Sequence, residues 1–199
     1  VVVDEVHEAK AKSIKGIMER MPNTKYRFGF TGILDNVHCN RLVIEGLTGP
    51  VKRDVSTKDL MDRGDLAELK IKILTLKYSE EERAKVIKMD YADEMDFLVR
   101  NEARNKFIKN LTLSLDGNRL VLFQYVDKHG KILYDMLKNE GVPCYFIHGG
   151  VDGEEREEIR KIVMSNDKAI IIASYGTFQR GVNIPNIHHI IAASPTKSK

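Results

Sequence analysis

The second half of the chain alternates apolar runs with helical segments, and few folds accommodate that order. Residues Arg119 to Tyr125, Val142 to Ile147, Lys168 to Ala173 and Ile187 to Ala192 are short and rich in β-branched, aliphatic and aromatic side chains, which suits strands. Between the first three of them lie segments with helical spacing, one carrying Ile132, Leu133, Met136 and Leu137 and the other Ile159, Ile162 and Val163. Asp127 and Asp152 stand where a helix needs a capping oxygen, and Asn139-Glu140-Gly141 stops the first helix. Strand, helix, strand, helix, strand implies a parallel sheet with right-handed crossovers. In open sheets of that kind the ligand crevice lies beyond the carboxyl ends of the strands. The residues that follow each strand are therefore the first place to look for chemistry.

The first half repeats the theme. Val1-Val2-Val3 suits a central parallel strand, apolar on both faces. Asp4, Glu5, Val6 and His7 follow at once. Of two adjacent carboxylates at a strand end, one can hold the magnesium of a nucleotide and the next can polarise water for attack on a phosphate. Ala9, Ile14, Ile17 and Met18 predict a helix within residues 8–20, stopped by Met21-Pro22-Asn23. Residues 26–30 read as a short strand ending in Thr31-Gly32, a hydroxyl and a small residue at the same crevice. Residues 41–51 read as a short helix turning into a strand, and Ser56 to Gly64 as a capped and stopped helix. Ile71 to Leu76 alternates and predicts a strand. From Glu80 to about Leu115 the composition turns charge-rich. Phe97, Leu98, Phe107, Ile108 and Leu111 then predict one or two amphipathic helices bridging two lobes, with the charges on a solvated face. The fold class is α/β, two lobes in tandem, with residues 1–66 in the first and 67–199 in the second.

Composition narrows the function classes. With 42% hydrophobic and 31% charged residues among 199, the chain reads as soluble and globular. No apolar run is long enough to span a bilayer, and no signal peptide is present, so a cytoplasmic protein is expected. Cys39 and Cys144 are isolated, which indicates neither a disulfide framework nor a zinc site. His188-His189 reads as structural, since no ligand set lies nearby. A net charge of +3 permits a nucleic-acid partner only through local patches. The chain opens inside a strand and ends just after one, so it is expected to be a piece of a longer protein, with both lobes incomplete.

The strand-end residues then match a known series in order. Asp4-Glu5-Val6-His7 resembles the DExH form of the Walker B box, and Thr31-Gly32 sits where motif III falls, with Ile33 where a hydroxyl residue is common. Phe123-Gln124-Tyr125 resembles motif IV, and His148-Gly149-Gly150 with Arg156 resembles the His-Gly turn and its downstream arginine. Residues 174–186, from Ser174-Tyr175-Gly176-Thr177 through Arg180-Gly181-Val182-Asn183, look like motif V. By these residues the chain resembles the superfamily 2 DExH helicases, and among them the phage recombination helicases with RecG-like activity.

That resemblance implies two tandem RecA-like lobes with parallel sheets, and ATP with Mg2+ as cofactors. It implies ATP-driven unwinding or branch migration of branched DNA (junctions and forks), and of RNA–DNA hybrids in R-loops, with 3′ to 5′ polarity. A DNA translocase that remodels without separating strands is the alternative among enzymes, and a non-catalytic nucleic-acid-binding module the alternative outside them. By resemblance Asp4 holds magnesium, usually through water, Glu5 orients and deprotonates the attacking water, and His7 couples the nucleotide state to motif III or the second lobe. Thr31 bonds back to the Walker B box. Arg180, Gly181 and Asn183 face the nucleotide, with Asn183 where an aspartate that touches the ribose is common. Arg180 touches either the nucleotide or a loop carboxylate. Ser174, Tyr175, Thr177, His148 and Gly149 grip nucleic-acid phosphates. Tyr175 has two further readings, stacking on a base or packing. No Gly-x-x-x-x-Gly-Lys-Ser/Thr loop and no Gln-x-x-Gly-Arg-x-x-Arg motif occur in the sequence. The chain alone is therefore expected not to turn over ATP.

Overall fold

The computed structural model describes residues 1–7, 12–32, 38–52, 55–178 and 184–195. The chain divides into two compact units, Val1–Ile73 and Leu74–Lys199.

In the first unit, β1 (Val2–Val3) and β2 (Phe28–Gly29) pair in parallel, with Val2 opposite Phe28 and Val3 opposite Gly29. Three helices accompany them: α1 (Lys12–Glu19), α2 (His38–Thr48) and α3 (Thr57–Asp62). Among its described residues, Val6, Met18 and Ile44 are the buried apolar side chains. α3 begins at a reciprocal cap: the Ser56 hydroxyl accepts the Asp59 N–H, and the Asp59 carboxylate accepts the Ser56 N–H. It ends at Gly64, whose φ of 79° lies in the left-handed region that favours glycine.

Among the described residues the sheet of this unit has two strands, and Val2 and Phe28 are 69% and 53% exposed. Two sequence expectations are corrected in and beside this unit. Among the described residues no strand follows α2, because the helix runs on to Thr48, and Gly49, with φ 92°, breaks the chain direction. Residues 71–76 form no strand either. Ile71 and Ile73 are 79% and 88% exposed. Their alternation with Lys70 and Lys72 is strand-like, but a strand exists only where a neighbour completes its ladder, and none does among the described residues.

The second unit opens with three helices rather than one or two: α4 (Glu80–Val86), α5 (Tyr91–Arg100) and α6 (Glu102–Ser114). Polar caps divide them. Ser79, Asp90 and Asn101 each accept a backbone N–H from the first turn of the helix that follows. The α/β core then follows in order: β3 (Asn118–Phe123), a π-helical turn (Val126–Gly130) running into α7 (Lys131–Leu137), and β4 (Cys144–Ile147). Next come α8 (Gly153–Met164), β5 (Ile170–Ser174), α9 (Tyr175–Phe178) and β6 (Ile187–Ala192). The sheet order is β4-β5-β3-β6 and every pairing is parallel.

Period-2 alternation sorts the central strands onto two faces. Val121, Phe123, Ile170 and Ile172 pack with Ile108, Leu133 and Leu137. Leu120, Ile171 and Ala173 pack with Ile159 and Val163 on the other face. Each fully buried isoleucine or phenylalanine stabilises the fold by about 1.5–3 kcal/mol. Asp152 caps α8 as its position predicts, accepting the Glu154 N–H at 2.7 Å. Asp127 does not cap a helix: its carboxylate pairs with Lys131, and the turn opens with no side-chain cap. A Cβ on Gly130 would stand 2.6–2.8 Å from the Phe123 ring, so the backbone here lies directly on that ring. His188 is structural, accepting the Asn118 N–H on Nδ1 at 3.0 Å. Because all four strands run parallel, the segments after Phe123, Ile147, Ser174 and Ala192 leave from one end of the sheet.

Candidate functional site

In the first unit the four-residue box turns sharply after β1. Glu5 has φ 51°, a conformation unusual for a residue with a side chain. The Asp4 Oδ1 accepts the Glu5 N–H at 2.8 Å and steadies that turn. Val6 then drives inward, 3% exposed, with its N–H donated to the Phe30 carbonyl at 3.0 Å. Gly29 makes room for it: a Cβ there would stand 2.8–3.0 Å from three Val6 side-chain atoms. Burying Val6 leaves Asp4 and Glu5 exposed and swings His7 toward the end of β2. His7 Nδ1 lies 2.7 Å from the Thr31 hydroxyl and 3.2 Å from the Glu5 carboxylate. Asp4, Glu5, His7 and Thr31 are thus brought together at the carboxyl ends of two parallel strands.

The chemistry of that donor set fits a hydrated magnesium. Mg2+ keeps several waters and takes one or two carboxylates beside phosphate oxygens. Two exposed carboxylates on one turn meet that need without a cage. Among the described residues no group of three or more His, Cys, Asp or Glu could hold a metal, so a transition-metal site has no support there.

In the second unit His148 follows β4. Its Nδ1 accepts the Gly150 N–H at 3.0 Å and its ring tilts against Phe146 at 5.2 Å. A Cβ on Gly149 would meet nothing within 4 Å, so the backbone is open there. Ser174 ends β5, and its hydroxyl lies 2.6 Å from that of Thr177. Of two paired hydroxyls one donates to the other, which leaves one proton for an outside acceptor. The Tyr175 hydroxyl donates to the Ser194 carbonyl at 2.9 Å, and burial pushes its pKa up, which matches the packing reading among the three that the sequence left open. Arg180, Gly181 and Asn183 lie outside the described residues, as does Ile33.

Sequence reasoning missed a buried polar chain below these residues. His129 is fully buried, with Nδ1 2.8 Å from the Ser194 hydroxyl and Nε2 3.1 Å from the Asn105 carbonyl oxygen. Asn105 donates its amide N–H to the Val99 carbonyl at 2.8 Å, which fixes its oxygen toward the histidine. His129 Nε2 must then be the donor and Nδ1 the acceptor. Ser194 therefore donates to Nδ1 while its oxygen accepts the Gln124 N–H at 3.1 Å. Every link is directed: Gln124 to Ser194, Ser194 to His129, His129 to Asn105, Asn105 to Val99. Burial first, and then the nearby Arg104 guanidinium, lower the His129 pKa to about 4. Ser, His and Asn stand here in the order of a hydrolytic triad, but all three side chains are buried and the imidazole is a weak base. No signal in the sequence marks it, since Asn105 and His129 stand among charged residues.

Comparisons with known proteins agree with this architecture. Residues 102–199 match the helicase conserved C-terminal domain family. The ATP-dependent DNA helicase uvsW of Enterobacteria phage T4 is 35% identical over 199 residues, covering 98% of this chain and 39% of the relative. The ATP-dependent RNA helicase uap56 of Schizosaccharomyces pombe is 31% identical over 93 residues, 47% of this chain and 21% of that protein. The crystal structure of T4 UvsW superposes on the whole chain with a TM-score of 0.61 at 34% identity, covering 39% of that structure. S. cerevisiae Dbp5 bound to RNA and ADP BeF3 superposes on 99% of the chain and 45% of its own, with a TM-score of 0.54 at 15% identity, a likeness of fold. The four-stranded parallel sheet is that of a RecA-like helicase C-terminal lobe. The chain spans about two fifths of the UvsW length. Residues 102–199 belong to the helicase conserved C-terminal domain family, and the chain as a whole is similar to the superfamily 2 helicase uvsW.

Proposed function

We propose that this chain is the motor segment of an ATP-dependent DNA helicase that unwinds or branch-migrates forks, junctions and R-loops. One observation carries the reading: His7 joins the Thr31 hydroxyl and the Glu5 carboxylate at the ends of β1 and β2. A strand ending in a solvated acidic turn has no need of that junction. Identity to a protein named as a DNA helicase spans 98% of the chain, whereas the relative named as an RNA helicase matches about half, which favours DNA as the track.

In the first unit Asp4 holds the nucleotide's magnesium through water, and Glu5 orients the attacking water and takes its proton. Bound magnesium supplies neutralisation of phosphate charge. His7 sits between Glu5 and Thr31, so a change in the carboxylate's proton or position reaches the end of β2. In the second unit Arg180, Gly181 and Asn183 contact the nucleotide. The Ser174–Thr177 hydroxyl pair, His148 and the open Gly149 backbone hold nucleic-acid phosphates. Hydroxyls and backbone that touch phosphate fix position without reading bases, as a motor that moves along any sequence requires.

Strand displacement by the helicase that carries this segment tests the reading. Forked DNA and an RNA–DNA hybrid should be separated with ATP, and an RNA duplex of the same sequence should not. Separation of the RNA duplex alone contradicts the DNA assignment. ATP use on DNA without displacement of any of the three favours the remodelling translocase.

A further inference from the structure

The end of β6 is held from four separate elements. Arg104 on α6 donates to the Ala193 carbonyl at 2.5 Å. Gln124, just past β3, donates its N–H to the Ser194 hydroxyl at 3.1 Å. That hydroxyl donates to His129 on the π-helical turn at 2.8 Å. Tyr175, the first residue of α9, donates to the Ser194 carbonyl at 2.9 Å. Ser194 itself is 3% exposed. A serine hydroxyl has one proton and two acceptor lone pairs; here the proton goes to His129 and one lone pair takes the Gln124 N–H, with the direction of each bond set by its neighbours.

We infer that Ser194 is a positioning residue: it sets where α9 begins, and with it the Ser174–Thr177 hydroxyl pair, by tying Tyr175 to the segment after β3 and to the His129 turn. The inference rests on the reading that Ser174 and Thr177 face nucleic acid. The physical case is the contrast between the two layers. The Ser174–Thr177 pair is one undirected contact between neighbours three residues apart, and it joins the end of β5 to α9 at a single point. Tyr175 lies between them in sequence and reaches 19 residues along the chain to Ser194. Ser194 is locked in turn over 70 residues to Gln124 and 65 to His129. Rigid long-range bonds beneath a phosphate-gripping helix lower the ordering cost of binding, so loosening them should weaken DNA engagement more than turnover.

The test is DNA-stimulated ATPase in the helicase that carries this segment, comparing wild type with Ser194→Ala, Ser194→Thr and Tyr175→Phe. Tyr175→Phe removes one hydroxyl and keeps the ring, so it guards against simple unfolding. In Ser194→Ala and Tyr175→Phe the DNA concentration giving half-maximal stimulation should rise about five- to tenfold, the size of one neutral hydrogen bond, with a smaller change in kcat at saturating DNA. Ser194→Thr, which keeps the hydroxyl, should restore most of the loss. If the variants lower only the melting temperature and leave half-stimulation at the wild-type value, Ser194 is merely structural and the inference is overturned. If kcat falls and half-stimulation stays, it is overturned as well. Absence of stimulation in the wild type overturns the functional reading itself and the inference with it.

Discussion

His129 should make the second unit's stability depend on pH in a defined window. An unfolded histidine titrates near 6.5, and in the fold burial and the Arg104 charge lower this one to about 4. Between those values the unfolded chain binds a proton that the folded chain refuses. Stability is therefore full above about pH 6.5 and falls as pH drops toward 4. At pH 5 the loss relative to pH 7.5 is about 2 kcal/mol, from about 1.4 kcal/mol per unit of separation. Structure gives the same sign without any titration arithmetic. A protonated Nδ1 could no longer accept the Ser194 proton, and that hydroxyl would have to turn its proton to another acceptor inside the core. The assay is urea unfolding at pH 7.5 and pH 5, followed on amide NMR signals of β3 and β5, for wild type and His129→Gln. The variant should be less stable at pH 7.5 by about 1–3 kcal/mol, because it leaves buried partners imperfectly bonded. It should also lose about 2 kcal/mol less than wild type on going to pH 5. Equal losses in the two proteins, or a His129 imidazole that titrates near 6.5 in the folded state, would refute the directed-chain argument.

Two further outcomes follow from close contacts and burial. Gly29→Ala should destabilise the first unit by about 1–3 kcal/mol, since its Cβ would meet Val6 at 2.8–3.0 Å, and Gly29→Ala with Val6→Ala should recover part of the loss in thermal melts. Simple additivity of the two changes would show that they do not touch. Burial pushes the Cys144 thiol up to about 12, so in a Cys39→Ser background a thiol reagent at pH 8 should label it only on unfolding in urea. Labelling at the rate of a free thiol would contradict its placement.

Much of the second unit was legible because its signals are local. Ile187–Ala192 is a strand over the same residues that its apolar run marks, and Asp152 caps the helix that its position announces, as Ser56 does in the first unit. The misses share a cause: each depends on what lies beside the segment. Ile71–Leu76 has the alternation of a strand and no ladder partner among the described residues. Asp127 has the chemistry of a cap, but its carboxylate pairs with Lys131 and the turn opens with no side-chain cap. At the site, the nearness of His7 to Thr31 could be anticipated only by resemblance, because 24 residues separate them. The His129 chain was invisible, since Asn105, His129 and Ser194 meet only once α6, the turn and β6 are packed.

The most direct test of the motor assignment is ATP hydrolysis by the helicase that carries this segment, with and without branched DNA, in wild type and Glu5→Gln. The account predicts that DNA stimulates the wild type, and that Glu5→Gln still binds nucleotide and DNA but loses turnover by about 100-fold or more, as removal of a general base does. Undiminished turnover in Glu5→Gln would show that Glu5 is not the base. DNA binding by both proteins with hydrolysis by neither would make the chain a nucleic-acid-binding module instead.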